Sequence, residues 1–246
     1  MTETEIAFAI AGLALGGFLK GATGAGAPVV GVPVLAVIFD VPMAVAIFSV
    51  LNLITNIWHA WAYRIHRAQI NFVWIFALMG GIGAAAGSVL LATLPTEALM
   101  GGLAGIVFIY IALRLARPNW VLDRTRGARL APIAGAVGGV MQGAGGISAP
   151  VSITYLNAMR LTRSEFIATI SVFFMVMSLF QVPSLALLGV ITWERLQMTA
   201  LAAIPLFAAI PLGELAGRRV SKTVFDRAIL ILLALIGVRL IWAALT

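Results

Sequence analysis

Apolar residues follow one another along this chain in stretches long enough to cross a bilayer, separated by short polar intervals. About 20 consecutive apolar residues in a helix span a hydrocarbon core roughly 30 Å thick. Windows at 42–62, 72–94, 98–116, 166–190, 196–215 and 224–245 meet that length, and each predicts an ordinary transmembrane helix. Two other apolar stretches, 6–39 and 130–159, are interrupted by glycine-rich sequence ending in Ala-Pro. Each is too long for one comfortable crossing and too short for two, which predicts a glycine-broken helical hairpin. The interval from Arg117 to Arg129, with its Pro, Asn, Asp and Gly, is the one long polar stretch and divides the chain.

The two parts repeat one another. Setting 14–29 against 136–151, an offset of 122, gives nine identities in sixteen positions, among them Gly21/Gly143, Gly24/Gly146 and Pro28/Pro150. The frame continues at Ala46/Ala168 and Ser49/Ser171. The expected organisation is a first repeat over 1–118 (hairpin 6–39, then spans 42–62, 72–94 and 98–116), a cytoplasmic linker at 119–128, and a second repeat over 129–246 (hairpin 130–159, then spans 166–190, 196–215 and 224–245).

Composition agrees with lipid as the main solvent: 62% of the residues are hydrophobic and 10% charged, with a mean hydropathy of +1.08. Nothing is left over for a separate catalytic domain. The first residues, Met-Thr-Glu-Thr-Glu, are acidic where a secretory signal would be basic, so the first apolar stretch is expected to be retained. Cysteine is absent, which removes disulfides and thiolate metal sites. The net charge of +7 does not point to nucleic acid, because the arginines lie between apolar segments rather than on a soluble face.

Those arginines decide the topology. Were each broken segment to cross completely, the thirteen basic residues at 64–67, 114–129, 160–163 and 218–227 would divide seven to six between the two faces. Were each to enter, turn and leave on the side it came from, all thirteen would share one face, as the positive-inside rule favours. Glu3, Glu5, Asp40, Glu97 and Glu194 would then lie opposite. One hairpin plus three spans is an odd number of crossings, so the two repeats are inverted. The expected fold is an all-α polytopic membrane protein of two inverted repeats, each a re-entrant hairpin and three transmembrane helices. Inverted repeats with broken helices are a transporter architecture.

The hairpin tips are the first candidates for chemistry. One reads Lys20, Gly21, Ala22, Thr23, Gly24, Ala25, Gly26; the other reads Gln142, Gly143, Ala144, Gly145, Gly146, Ile147, Ser148. Proline suits the first positions of a helix, so Pro28 and Pro150 are expected to start the outgoing half-helices. Helix N-termini carry partial positive charge, and two of them converging at the membrane midplane would hold an anion without metal or cofactor. Lys20 is the one basic residue inside a hairpin segment, where an ammonium is costly and needs a partner or a purpose. It either caps the carbonyls ending the incoming half-helix or charges the anion site. Its repeat mate is the neutral Gln142.

A polar row follows the same frame. Ser49, Asn52, Asn56 and His59 fall on one helical face, and the offset carries Ser49, Asn56 and His59 onto Ser171, Ser178 and Gln181. The row either bonds helices together or lines the passage, and His59 would be its proton carrier. Glu214 with Arg218, and Glu165 with Arg163, read as surface ion pairs rather than coupling acids. Gly80, Gly81, Gly83, Gly87, Gly213 and Gly217 read as close-packing faces. No P-loop, dinucleotide fingerprint, paired carboxylates or His-Glu-x-x-His is present, which argues against an enzyme.

On the two motifs, Lys20 to Pro28 followed by Gly31 and Pro33, and Gln142 to Pro150, the sequence resembles the sulfite exporter TauE/SafE family, also called the 4-toluene sulfonate uptake permease family. The resemblance implies a prokaryotic cytoplasmic-membrane permease, expected to act as an exporter, for sulfite, sulfoacetate or another organosulfonate, in some members for other small organic anions. Its partners would be the substrate anion, the bilayer and a coupling proton or sodium ion. An anion channel is the alternative reading of the same features.

Overall fold

The computed structural model describes residues 2–66, 70–116, 120–216 and 222–245; the side chains of 70, 71 and 222–228 lie outside the description. All regular structure among the described residues is helical. In chain order the helices are α1 (Glu3–Thr23), α2 (Ala27–Ile38), α3 (Val41–Ala62), α4 (Ile70–Thr93), α5 (Thr96–Ala116), α6 (Arg124–Gly145), α7 (Ala149–Ala158), α8 (Arg163–Leu187), α9 (Trp193–Ala216) and α10 (Lys222–Leu245). Six of them, α1, α3, α4, α5, α8 and α9, are long and apolar enough to cross a membrane. Large apolar side chains cover the outside, including Phe8, Ile82, Ile133, Ile204 and Leu235, as a lipid-facing surface requires. The chain is a multi-pass membrane protein.

Local chemistry sets the helix ends. Thr2 and Thr162 begin α1 and α8 with reciprocal capping boxes to Glu5 and Glu165. Asp40 and Asp123 accept backbone N–H groups at the starts of α3 and α6. Glu165 therefore serves Thr162, and its ion-pair partner is Arg124 at 3.6 Å rather than the neighbouring Arg163. The Glu214–Arg218 pairing lies outside the described residues.

Helices ten residues or longer cannot approach closely through branched side chains, and glycine decides which of them do. A Cβ on Gly17 would stand 2.0 Å from the Leu206 carbonyl oxygen of α9, and one on Gly21 would stand 2.0 Å from that of Ile210. Gly213 of α9 answers with the Phe18 carbonyl of α1 at 2.0 Å. The same arrangement joins α6 to α4: an added Cβ would stand 2.1 Å from Gly80 O at Gly139, 2.3 Å from Ala84 O at Gly143 and 2.3 Å from Ala136 O at Gly83. Backbones this close gain dispersion contacts that lipid tails cannot replace. Gly80 and Gly81 instead make room for Phe173 and Phe180 of α8.

These contacts pair helices across the two halves. The offset of 122 carries α1 onto α6 and α4 onto α9, so α1 against α9 and α6 against α4 are the same contact made twice. In addition α3 packs against α8 and α5 against α10, each helix against its own counterpart. One apolar core is drawn mostly from α1, α2, α3, α5, α9 and α10, and a second mostly from α4, α6, α7 and α8. In the second core Phe76 stacks on Phe173 at 3.9 Å between ring centroids and touches Tyr155, whose hydroxyl donates to Gly127 O at 2.6 Å.

Overpacking at the backbone contacts is expected to cost about 1–3 kcal/mol or more at each site. Gly17→Val and its counterpart Gly139→Val should therefore lower the thermal midpoint of the detergent-purified protein, and both should do so. Gly102→Ala, where a Cβ meets nothing within 4 Å, should leave the midpoint unchanged or raise it. Equal midpoints for all three variants would count against glycine-dependent packing.

Candidate functional site

Helix α3 is apolar at the positions that face the first core and polar along one edge, where Ser49, Asn52, Thr55, Asn56 and His59 recur at three- and four-residue spacing. That edge is buried, because α3 packs on α8. The facing helix brings buried Thr169, Ser171, Ser178 and Gln181. The polar rows of the two repeats are thus carried by the helix pair that crosses between them.

Lys20, in the last turn of α1, is 1% exposed and donates from Nζ to Asn56 Oδ1 at 3.0 Å. Asn56 is held for that task. Its Nδ2 donates to Asn52 O at 2.7 Å and Asn52 Oδ1 at 2.8 Å, which turns its oxygen toward the ammonium. Of the alternatives for Lys20, capping the end of α1 is not the bond it makes. Gly24 N–H takes that role, donating to Lys20 O at 2.7 Å.

The second half of the chain makes a neutral version. Gly146 N–H donates to Gln142 O at 2.8 Å, as Gly24 does to Lys20. Gln181 Nε2, at the position of His59, donates to the same Gln142 carbonyl at 3.2 Å. Several buried polar atoms have no partner among the described residues: Asn52 Nδ2, His59 Nδ1, Gln142 Oε1, Thr169 Oγ1, Ser171 Oγ and Gln181 Oε1. A buried polar atom left unpaired costs about 1–3 kcal/mol. Every one of these belongs to the α3 and α8 rows or to the turn that meets them.

Both turns use left-handed glycine where the chain reverses: φ is +77° at Gly24 and +70° at Gly146, and Gly26 stands at +121°. Pro28 and Pro150 occupy the first positions of α2 and α7. Thr23 Oγ1 donates to Leu19 O at 2.8 Å and bridges the first turn to Ala25. In the second turn Ser148 Oγ lies 3.2 Å from Ser152 Oγ, and Ile147 is buried between them and the core. Gly21 and Gly143 face α9 and α4, so those two glycines serve helix packing rather than an opening. Gly145 packs toward Ile106, and Ala22 lines a cavity described below, while Ala144 is half-buried.

The two turns pack on different helices of the other half, Gly24 on α8 and Gly146 on α2 and α3. Helix α1 has 21 residues and α6 has 22, roughly 32 Å each at 1.5 Å per residue, whereas the outgoing α2 and α7 have 12 and 10. Gly24 packs on Ile167, one turn inside the start of α8, and Gly146 packs on Val45, one turn inside the start of α3. Those two starts are at opposite ends of the bundle, since α4, α6 and α8 run together and α3 runs into α4. The turns therefore lie toward opposite ends. What stands between them is the polar seam of α3 and α8.

A cavity of about 500 Å³ opens beside the first turn. Thr23, Ala25 and Gly26 line it together with Tyr110 and Arg114 of α5, Asn157 of α7 and Arg163 of α8. None of the last four was among the candidate site residues read from sequence, where Arg163 was paired with Glu165 instead. The arginines had been absorbed into the topology, and nothing in the repeat frame links α5 and α7 to the tip.

The family model of the sulfite exporter TauE/SafE family matches residues 8–240 of the chain. Neither a curated protein nor a solved structure gives a match.

The Lys20–Asn56 bond generates a stability test. A hydrogen bond to a charged group contributes about 1.5–3 kcal/mol, so Asn56→Leu should destabilise the protein by about that amount. Lys20→Met in the same chain removes the stranded ammonium and should recover a substantial part of the loss. Thermal midpoints of the two single variants and the double variant measure the coupling, and simple additivity would show that the two groups do not interact.

Proposed function

The chain belongs to the sulfite exporter TauE/SafE family, whose members are membrane transporters and not enzymes, and on that premise we propose that it is a secondary transporter exporting sulfite or an organosulfonate. The observation that carries the reading is the buried ammonium of Lys20 beside a row of unpartnered polar atoms. A lysine inside an apolar bundle is expensive. A substrate anion supplies the missing counter-charge, and its oxygens accept from Asn52 Nδ2 and the serine hydroxyls.

Transport then follows from the arrangement of the halves. Two repeats of opposite orientation, each entering by a re-entrant hairpin, present the same polar seam to the two faces in turn. The seam of α3 and α8 is the centre of the site, with the helix ends at the two turns beside it. Lys20, Asn52, Asn56 and His59 form its charged side; Gln142, Ser171, Ser178 and Gln181 form its neutral side. The turns at 23–26 and 146–148 act as the gates. A coupling proton or sodium ion supplies the energy, and the cytoplasmic membrane is the location.

Two measurements bear on this reading. The chain lacks cysteine, so single cysteines report topology without background. Cysteines at Asp40 and Glu97 should label from outside, and those at Arg64, Arg124 and Arg163 from the cytoplasm. Opposite faces for Asp40 and Glu3 would contradict the re-entrant hairpin.

The second measurement addresses Lys20. In Lys20→Gln the first turn resembles the second, with the charge removed and a donor kept. Substrate affinity in proteoliposome flux should fall at least tenfold, about 1.4 kcal/mol, at a normal yield of folded protein. Unchanged affinity at normal yield would remove Lys20 from the site.

A further inference from the structure

At the carbonyl ends of α1 and α6 the two halves of the chain differ in one charge. Lys20 stands in the last turn of α1, where the negative end of the helix dipole favours a cation. Its counterpart Gln142 stands in the last turn of α6, which holds no basic residue. The ammonium of Lys20 donates to Asn56 Oδ1. At Gln142 the acceptors lack any such cation: Gln142 Oε1 and Gln181 Oε1 have no partner among the described residues, and the two residues are 1% and 0% exposed.

Turning the Gln181 amide over does not relieve this. Its Nε2 donates to the Gln142 carbonyl at 3.2 Å, and exchanging the two ends of the amide would set one oxygen against another. Gln181 Oε1 is therefore held at the last turn of α6, beside Gln142. A buried acceptor needs a donor or a cation. The positive start of α7 lies beyond the turn, at Ala149, and Gln142 stands one turn back from Gly146 on the carbonyl side.

The neighbouring helices limit the kind of cation. Helices α4 and α7, packed on α6, carry no charged residue. Arg124, Arg126 and Arg129 of α6, and Arg163 and Glu165 of α8, lie within the first two turns of their helices, far from Gln142 and Gln181. Glu97 and Arg114 lie near the two ends of α5, whereas Leu103 and Ile106 meet the turn at Gly145. Among the described residues no acidic or histidine side chains gather into a metal-holding group. Calcium and magnesium draw on carboxylates, so neutral amide and carbonyl oxygens alone suit a hard cation of single charge. Helix carbonyl ends and unwound backbone hold such ions in transporters with broken helices.

Resting on the transport reading for its role, we propose that the second turn binds an alkali-metal cation through Gln142 Oε1, Gln181 Oε1 and the last carbonyls of α6. The ion is the mobile counterpart of the fixed ammonium of Lys20. With it bound, both sides of the seam carry one positive charge, and an anion between them is attracted by each. Binding of the cation and binding of the anion then strengthen one another reciprocally.

The test follows the thermal midpoint of the full chain in detergent, first exchanged into N-methyl-D-glucamine chloride. Sodium, lithium or potassium chloride then replaces that salt at constant ionic strength. At least one of the three should raise the midpoint saturably, by about 5–10 °C at a hundredfold excess over its Kd. Gln142→Lys gives the second turn the ammonium of the first, and its midpoint should no longer respond. Gln181→Glu adds a carboxylate and should tighten the cation at least tenfold. The two variants move the response in opposite directions, so a general loss of stability cannot imitate both.

A midpoint indifferent to the identity of the cation, or a saturable response kept in full by Gln142→Lys, overturns the cation site. Should Gln142→Lys yield no folded protein, unchanged cation affinity in Gln181→Glu overturns it equally. In either event a tenfold loss of sulfite affinity in Lys20→Gln, measured without alkali salts, leaves the transporter reading standing. A cation response abolished by Gln142→Lys in a protein that moves no anion supports the site and overturns the transporter reading instead.

Discussion

Contact between helix backbones at glycine is the constraint from which the other features of this protein follow. In lipid, apolar side chains gain little by leaving the solvent, so helices associate where backbones can touch. Here the touching pairs are α1 with α9 and α6 with α4, at Gly17, Gly21, Gly213, Gly139, Gly143 and Gly83. Each of α1 and α6 is thereby clamped to a helix of the other half. That clamp fixes the depth of the turns, and the depth brings Lys20 level with Asn56 and Gln142 level with Gln181.

The seam so formed is polar on both sides but charged on one. Lys20 and Gln142 occupy the same place in the two repeats, and their backbone carbonyls accept the same bond from Gly24 and Gly146. Only their side chains differ in charge. With lysine on one side and glutamine on the other, the two sides of the seam are chemically unequal. The cavity by the first turn, with its two arginines, lies on the lysine side.

Much of this was legible in the sequence, and what was not has physical reasons. The offset of 122 located both turns and both polar rows, because identical spacing in two copies is a constraint that composition alone does not impose. Pro28 and Pro150 marked helix starts correctly, since a residue without N–H gives up no helical bond in the first turn. Gly21 and Gly143 were read with the tips, yet they face neighbouring backbone, and the sequence of one helix does not name its partner. The partners are nearly a whole chain apart for α1 and α9. Tyr110, Arg114, Asn157 and Arg163 were missed as a group because they come from three helices that meet only in three dimensions.

The cross-pairing of the halves also sets an order for biogenesis. Gly17 of α1 packs on Leu206 of α9, about 190 residues later in the chain. At a synthesis rate of roughly 5–20 residues per second, α1 waits on the order of 10–40 s in the membrane before its partner emerges. Helix α6, by contrast, finds α4 already inserted when it appears. The second hairpin can be clamped while the ribosome is still at work, whereas the first, with its buried lysine, stays open until synthesis is nearly complete. The costly ammonium thus belongs to the hairpin that docks last, and its enclosure coincides with completion of the fold.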